Sequence, residues 1–320
     1  MNTQTKKLIS VVTSAYNEEA SVDELAKQLQ KVFDENYKYD FEAIIVENGS
    51  TDSTYEKLLE IHKRDKRFKI LQTSRTFYCE GGLTAGLNFA SGDAVAIIAA
   101  DLQEPPSMIT KFIEKWEEGY ENVYGVVTKR KDISWIRSIN SKLFYWVINR
   151  MTDRLFPPNV SDFRLVDKKV YQAINTMHEQ SRFVRGMFAW AGFKSIGIPF
   201  ERASRFAGES KSSFSAVIEL ALKAIFIYSR SPLRFITFLG IFVSVGSFLF
   251  LVYTIANVFI RGVPFAGYGT LMSVITFMFG ILFLILGVIS EYIALIFDET
   301  KQRPNFIIRN KVGFNDNDKI

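Results

Sequence analysis

The chain has 320 residues, 48% of them apolar and 23% charged, with a formal net charge of +5. That composition supports a large buried core and excludes disorder over the whole length. One cysteine, Cys79, excludes an intrachain disulfide and any multi-cysteine metal centre, and two histidines leave little for a histidine-rich site. The mild positive charge does not by itself call for nucleic acid; an anionic membrane surface suits it equally.

Leu8–Ser14 is a short β-rich run, and Glu18–Phe33 places Val22, Leu25, Leu29 and Val32 at helical spacing. Phe41–Val46 predicts a second strand and Asp52–Lys63 a second helix. A third strand at Phe68–Gln72, a third helix at Gly82–Ala90 and a fourth strand at Ala94–Ala99 follow. Met108–Glu118 reads as a helix opened by Pro105-Pro106 and ended near Gly119, and Asn122–Val127 as a fifth strand. Strands alternating with helices across short loops predict an α/β fold around a mostly parallel sheet. Ligands of such sheets sit beyond the carboxyl ends of the strands. Those ends are Tyr16–Glu18, Glu47–Asp52, Ser74–Glu80 and Asp101–Glu104, all polar or acidic segments.

Further along, Lys129–Arg150 carries six cations against one acid, Asp132, with Trp135, Leu143 and Trp146 interleaved at helical spacing. This pattern predicts an interfacial helix, basic on one side and aromatic on the other; a soluble surface helix is the alternative. Ser212–Tyr228 reads as a second interfacial helix. From Phe235 to Ile260, and again from Gly262 to Ser290, no residue is charged. Each stretch exceeds the roughly 20 residues that a helix needs to cross hydrocarbon. The link Arg261–Tyr268 holds Gly262, Pro264 and Gly267 and reads as a turn. Lys223, Arg230 and Arg234 precede the first span and Lys301, Arg303, Arg309 and Lys311 follow the second, so the positive-inside rule puts both termini in the cytoplasm. No signal peptide is expected at the amino terminus. The expected organisation is a cytosolic catalytic domain over 1–210, a juxtamembrane amphipathic helix over 211–231, two transmembrane helices over 232–298 and a cytoplasmic tail over 299–320.

Four segments carry candidate chemistry. In Glu47-Asn48-Gly49-Ser50-Thr51-Asp52 the acid can accept hydrogen bonds from a ribose hydroxyl or a base N–H. Gly49 permits a tight turn, and Ser50 or Thr51 can cap the next helix; a simple capped turn needs the same residues. Asp101 and Gln103 are two apart, so extended backbone would put both oxygens on one face, a pairing that suits Mg²⁺ or Mn²⁺ with diphosphate and water; a single acid at a strand end also serves as a solvated turn or helix cap. Asp162, in Ser161-Asp162-Phe163-Arg164-Leu165, reads as a general base or as half of a structural Asp–Arg pair. Arg205–Lys211 sets two cations and a hydroxyl around Gly208, a loop fit to clamp a leaving diphosphate or simply a basic stop before the membrane.

Ser10–Glu19, Glu47–Thr54, Gly81–Pro106, Ser161–Val166 and Arg205–Lys211, in this order and ahead of two apolar spans, resemble the glycosyltransferase family 2 enzymes of GT-A fold. Within it the chain is similar to the polyisoprenyl-phosphate glycosyltransferases, the dolichol-phosphate mannose synthases and bacterial bactoprenol glucosyltransferases. The resemblance implies nucleotide contacts at Tyr16, Glu18, Glu47, Asn48 and the Ala99 position, and a Mg²⁺ or Mn²⁺ cofactor on Asp101 and Gln103. It further implies donor-diphosphate cations at Arg205 and Lys211, acceptor-phosphate contacts at Arg130, Arg137 and Lys142, and a base or positioning role for Asp162. The chain departs from the family at Ala99, where an acid is usual, at Glu47-Asn48, where two aspartates are usual, at Ser14 in place of proline, and at Val127 in place of arginine.

The implied activity is inverting transfer of a hexose, with UDP-glucose as the expected donor, to undecaprenyl phosphate at the cytoplasmic leaflet of a bacterial inner membrane. The implied partners are a nucleotide sugar, the lipid and the membrane, with no nucleic acid; a homo-oligomer is left open. A membrane-bound nucleotide-sugar binder without turnover is the alternative that Ala99 raises. A processive synthase is disfavoured, because Gln180-Ser181-Arg182-Phe183-Val184 is not the Gln-x-x-Arg-Trp of that class.

Overall fold

A computed structural model describes residues 6–130, 159–203, 231–261 and 267–315. The chain divides into two units, one of residues 1–217 together with 303–320, the other of residues 218–302.

The first unit is built on an eight-stranded sheet. Its strands are β1 (Leu8–Ala15), β2 (Asp40–Glu47), β3 (Phe68–Thr73), β4 (Ala94–Ile97), β5 (Asn122–Arg130), β6 (Val160–Asp167), β7 (Ser195–Arg202) and β8 (Ile308–Val312), in the order β7-β5-β6-β4-β1-β2-β3-β8. β1 pairs in parallel with β2 and β4, β2 with β3, and β5 with β7. β6 runs antiparallel to β4 and β5, and β8 antiparallel to β3. The sheet is therefore mixed, with its central block parallel.

The helices of this unit among the described residues are α1 (Val22–Glu35), α2 (Thr54–Arg64), α3 (Tyr78–Phe89), α4 (Met108–Glu117), α5 (Lys168–Asn175) and α6 (Val184–Trp190). Alternate strand residues face opposite ways and fill two apolar layers. Ile9, Val11, Ala43 and Ile45 pack with Leu25, Leu58 and Phe112 of α1, α2 and α4. Val12, Ile44 and Val46 pack with Leu83, Val170 and Met187 of α3, α5 and α6. Burial on both faces explains the near-continuous apolar runs of β1 and β2. At the amino ends of the strands the buried Glu42 is satisfied by Ser10 Oγ (2.5 Å), Lys69 Nζ (2.7 Å) and the Ser91 backbone N–H (3.0 Å). α3 lies close to the sheet because Gly82 has no side chain: a Cβ there would come within 2.2 Å of Ser14 Oγ.

Several boundaries differ from the sequence reading. α1 begins at Val22, because Glu18–Ser21 form a turn in which the Ser21 and Val22 N–H groups both reach Glu18 O. β4 ends at Ile97. Lys129 and Arg130, read as the start of the basic helix, are strand residues of β5; pairing with Glu201 and Arg202 of β7 extends the strand. The rest of that helix, and the Ser212–Tyr228 segment, lie outside the described residues.

Among the described residues the second unit holds α7 (Ser231–Arg261) and α8 (Tyr268–Lys301). Each contains a segment, Ser231–Phe250 and Phe277–Lys301, long and apolar enough to cross a membrane. Their apolar side chains are exposed, Phe242 at 77% and Phe259 at 86%.

Beyond α8 the chain rejoins the first unit. Ser74 N–H donates to Ile307 O, β8 pairs with β3, and Phe314 meets Phe89 edge-on at 5.5 Å between centroids. Phe306, Ile308 and Phe314 pack on the second apolar layer. A chain shortened after Gln302 is expected to lose about 3 kcal/mol from the first unit, at about 1 kcal/mol for each of these half-buried side chains. Thermal denaturation followed by protease susceptibility of the sheet measures this; an unchanged midpoint would show that β8 is dispensable.

Candidate active site

Because β1, β2, β3 and β4 are parallel, their carboxyl ends share one edge of the sheet. β5 and β7 end there too, since each is antiparallel or parallel to its neighbour in the matching sense, and β6 starts there. This edge gathers Tyr16, Glu47–Asn48, Ser74–Glu80, Asp101–Gln103, Arg130, Asp162 and Arg202.

The loops after β1 and β2 are laced together. Asn17 N–H donates to Ser50 Oγ (3.0 Å), Thr51 N–H to Asn17 Oδ1 (2.8 Å), and Glu18 N–H to Thr54 Oγ1 (2.9 Å). Glu47 is buried, and its Oε1 accepts the Ser50 N–H at 2.5 Å, so the acid first holds its own turn. Gly49 has φ +75°, and a Cβ there would lie 2.6 Å from Thr76 N. The helix is capped by neither Ser50 nor Thr51: its N-cap is Ser53, which makes no side-chain cap bond, and Asp52 Oδ1 just before it accepts both the N–H (3.1 Å) and hydroxyl (2.5 Å) of Thr54. Glu18 is half-buried with Oε2 on Ser21 Oγ (2.5 Å), and Tyr16 is exposed.

Asn48 connects this turn to the loop after β3. Its amide donates to Tyr78 O (2.6 Å) and its Oδ1 accepts the Phe77 N–H (2.9 Å).

Beyond β4 the backbone is not extended. Leu102 has φ +57°, and Gln103 N–H donates to Asp101 Oδ1 at 3.2 Å. Asp101 and Gln103 are thus brought together by a turn and not by strand alternation. Gln103 also touches the end of β7, with Ala203 N–H on Gln103 O at 3.0 Å. Among the described residues no three His, Cys, Asp or Glu side chains gather to hold a metal. Asp101 brings one carboxylate to this turn, and Mg²⁺ commonly takes only one or two protein carboxylates and completes its shell with phosphate and water.

Glu104 stands out in the structure, although its place in the sequence suggested no role. It is 2% exposed and ties two elements together: Oε2 accepts the Ala99 N–H (3.1 Å) and Oε1 accepts the Ser161 hydroxyl. Burial raises its pKa, only partly offset by these hydrogen bonds. Its one sequence signal is an acid directly before Pro105-Pro106.

Asp162 is paired, but with Arg185 of α6 and not with the adjacent Arg164. Arg185 Nε reaches Oδ1 at 2.8 Å and Nη2 reaches Oδ2 at 2.5 Å, a two-pronged contact. Asp162 is only half-buried; the desolvation that remains would raise its carboxyl, but the Arg185 charge and hydrogen bonds, with Arg164 and Arg202 adding, hold it below the usual carboxylate range. Arg164 is buried, donates to Ser161 O and Asp162 O, and lies over the Phe188 ring at 4.6 Å; burial lowers its pKa to about 10. Arg137, Lys142, Arg205 and Lys211 lie outside the described residues, and of Arg130 only the backbone is described.

Residues 10–174 match the family model of glycosyl transferase family 2. The chain belongs to that family. It is a glycosyltransferase, built on the GT-A type of mixed α/β sheet. An uncharacterised glycosyltransferase of Synechocystis sp. is 38% identical, over 95% of this chain and 96% of that one. A bactoprenol glucosyl transferase of Shigella phage SfV is 34% identical, over 95% and 98%. The resemblance read from the motifs, to the polyisoprenyl-phosphate branch of the family, agrees with the similarity to the bactoprenol glucosyl transferase. Among solved structures, glucosyl-3-phosphoglycerate synthase from Mycobacterium tuberculosis superposes with a TM-score of 0.48 at 15% identity, covering 69% of this chain and 78% of that one.

The Asp162–Arg185 pair makes a pH-dependent contribution. A carboxyl whose folded pKa is depressed stabilises the fold above its unfolded pKa, and that contribution is lost as pH falls through the folded value. Arg185→Met is expected to cost about 1 kcal/mol near neutral pH, a modest figure because the Asp162 side chain is 47% exposed. The gap between variant and wild type should close as pH drops below the usual carboxylate range. Melting curves from pH 7 to pH 3 check this; a gap independent of pH would show that the contact is packing alone.

Proposed function

We propose that this glycosyltransferase moves a hexose from a nucleotide sugar, with UDP-glucose the first candidate, to undecaprenyl phosphate at the cytoplasmic leaflet. The observation that carries the reading is the single sheet edge on which a nucleotide-side turn (Tyr16, Glu47, Asn48), an Asp101–Gln103 turn and the ionised Asp162 converge, in a chain with two membrane-length helices. The similarity to a bactoprenol glucosyl transferase over nearly the whole length supports the acceptor class.

In this reading Tyr16, Glu18 and the Glu47–Asn48 turn hold the nucleoside. A divalent cation held by Asp101 and Gln103 would neutralise charge on the leaving diphosphate. Arg205 and Lys211 add positive charge to the same group. The acceptor is a phosphate, ionised near neutral pH and already nucleophilic, so the site has mainly to align it with the leaving group. The pairing with Arg185 suits Asp162 to this alignment, because a carboxylate held at low pKa orients better than it accepts a proton. Arg130, Arg137 and Lys142 meet the acceptor phosphate.

The two long helices cross the membrane as a hairpin. Two crossings return the chain to the side on which it began, which agrees with β8 belonging to the same sheet as β1 to β7. The flanking cations favour the cytoplasm for that side.

The full-length protein with undecaprenyl phosphate and a panel of UDP- and GDP-hexoses tests the reading. A lipid product heavier by one hexose is expected with one donor, and no product with any donor would favour a binding protein without turnover. Asp101→Asn is expected to lower turnover at least about a hundredfold while the melting temperature holds; full activity, or wild-type activity in excess chelator, would remove the metal assignment. Arg137→Ala is expected to raise the KM for the polyprenyl phosphate and leave the donor KM unchanged. The reverse pattern would move Arg137 to the donor.

A further inference from the structure

Five described residues other than glycine have positive φ: Asn17, Tyr78, Leu102, Asn159 and Gln302. Asparagine tolerates the left-handed region, and Gln302 sits at the C-cap of α8, where that conformation is common. Leu102 and Tyr78 are the costly cases, and both lie on the active-site edge. Leu102 has a packing reason, since it is 8% exposed and part of the first apolar layer. Tyr78 has none: at φ +56° its side chain is 78% exposed.

The strain is held in place from several directions. Asn48 grips the backbone on both sides of the Phe77–Tyr78 peptide, at Phe77 N–H (2.9 Å) and Tyr78 O (2.6 Å). Thr73 Oγ1 donates to Arg75 O at 2.7 Å, the Arg75 guanidinium lies 4.6 Å from the Phe77 ring, and Gly49 leaves room for Thr76. Glycine or asparagine would adopt the same turn at lower cost. A strained conformation that the surroundings over-determine, bearing a large exposed ring that belongs to neither described apolar layer, is the pattern of a ligand contact.

The location names the ligand. In the sheet order β1-β2-β3, the exposed Tyr16 follows β1 and Tyr78 follows β3, so the two tyrosines flank the Glu47–Asn48 turn after β2. We infer that Tyr78 is a second aromatic wall of the nucleotide site, offering its ring to the base or ribose of the donor. The inference rests on the nucleotide-sugar reading above. Ring stacking tolerates different bases, so Tyr78 sets affinity more than base choice.

The test uses the full-length protein in detergent, with UDP and, separately, GDP as probes in the presence of Mn²⁺. Tyr78→Gly and Tyr78→Asn remove the ring and relieve the backbone; Tyr78→Phe keeps both ring and strain. Without nucleotide, the glycine and asparagine variants are expected to melt a few degrees higher than wild type. By calorimetry they are expected to bind nucleotide about tenfold more weakly, while Tyr78→Phe binds as wild type does. Undiminished nucleotide binding by Tyr78→Asn would overturn the inference, as would an equal loss in Tyr78→Phe or a rise only in the acceptor KM. Wild-type protein that binds neither UDP nor GDP would remove the donor reading itself, and the wall with it. Wild-type binding with equal binding by the asparagine variant would remove the wall alone.

Discussion

The parallel pairing of β1 with both β2 and β4 is the constraint on which the site depends. Parallel strands must all deliver their chain at the same edge, and each then needs a crossover helix to return it. Three successive returns, through α1, α2 and α3, therefore stack the polar ends of β1 to β4 side by side. Helices and apolar side chains cover both faces of the central strands among the described residues. The edge is left for chemistry, and every candidate residue that the structure describes lies there.

Rigid strands alone do not shape that edge; hydrogen-bonded polar side chains, buried at Asn48 and Glu104 and half-buried at Arg185, do. Asn48 joins the turn after β2 to the loop after β3, Glu104 joins the segment after β4 to the start of β6, and Arg185 fixes Asp162. Each link satisfies groups that would otherwise be desolvated without partners, which is costly. The same links hold Leu102 and Tyr78 in conformations that they would not adopt alone. The result is an edge whose loops are cross-linked by hydrogen bonds before any ligand arrives.

The position of β8 bears on the two long helices. A strand that follows a pair of membrane-length helices and then completes the sheet returns the chain to the first unit, so the helix pair is an insertion between two parts of that unit's sequence.

Much of this was legible in the sequence because it is local. Helical and strand periodicities located β1 to β5 and α1 to α4, since burial of one stripe or both faces leaves its mark on neighbouring residues. The two uncharged runs marked the long helices for the same reason, and the ordered motifs identified the family. What depended on distant partners was not legible. The sequence offered Arg164 as the neighbour of Asp162, but α6 brings Arg185, and Arg164 turns to backbone carbonyls and Phe188. It offered extended backbone at Asp101–Gln103, where a left-handed Leu102 makes a turn because the core takes its side chain. It left 308–312 without an element, because an edge strand only five residues long is specified by the β3 edge that it covers, more than two hundred residues earlier. Short-range patterning is written in the chain, whereas the partner of a charge, the sign of a backbone angle and the occupant of a sheet edge are settled only when distant segments compete for the same hydrogen bonds.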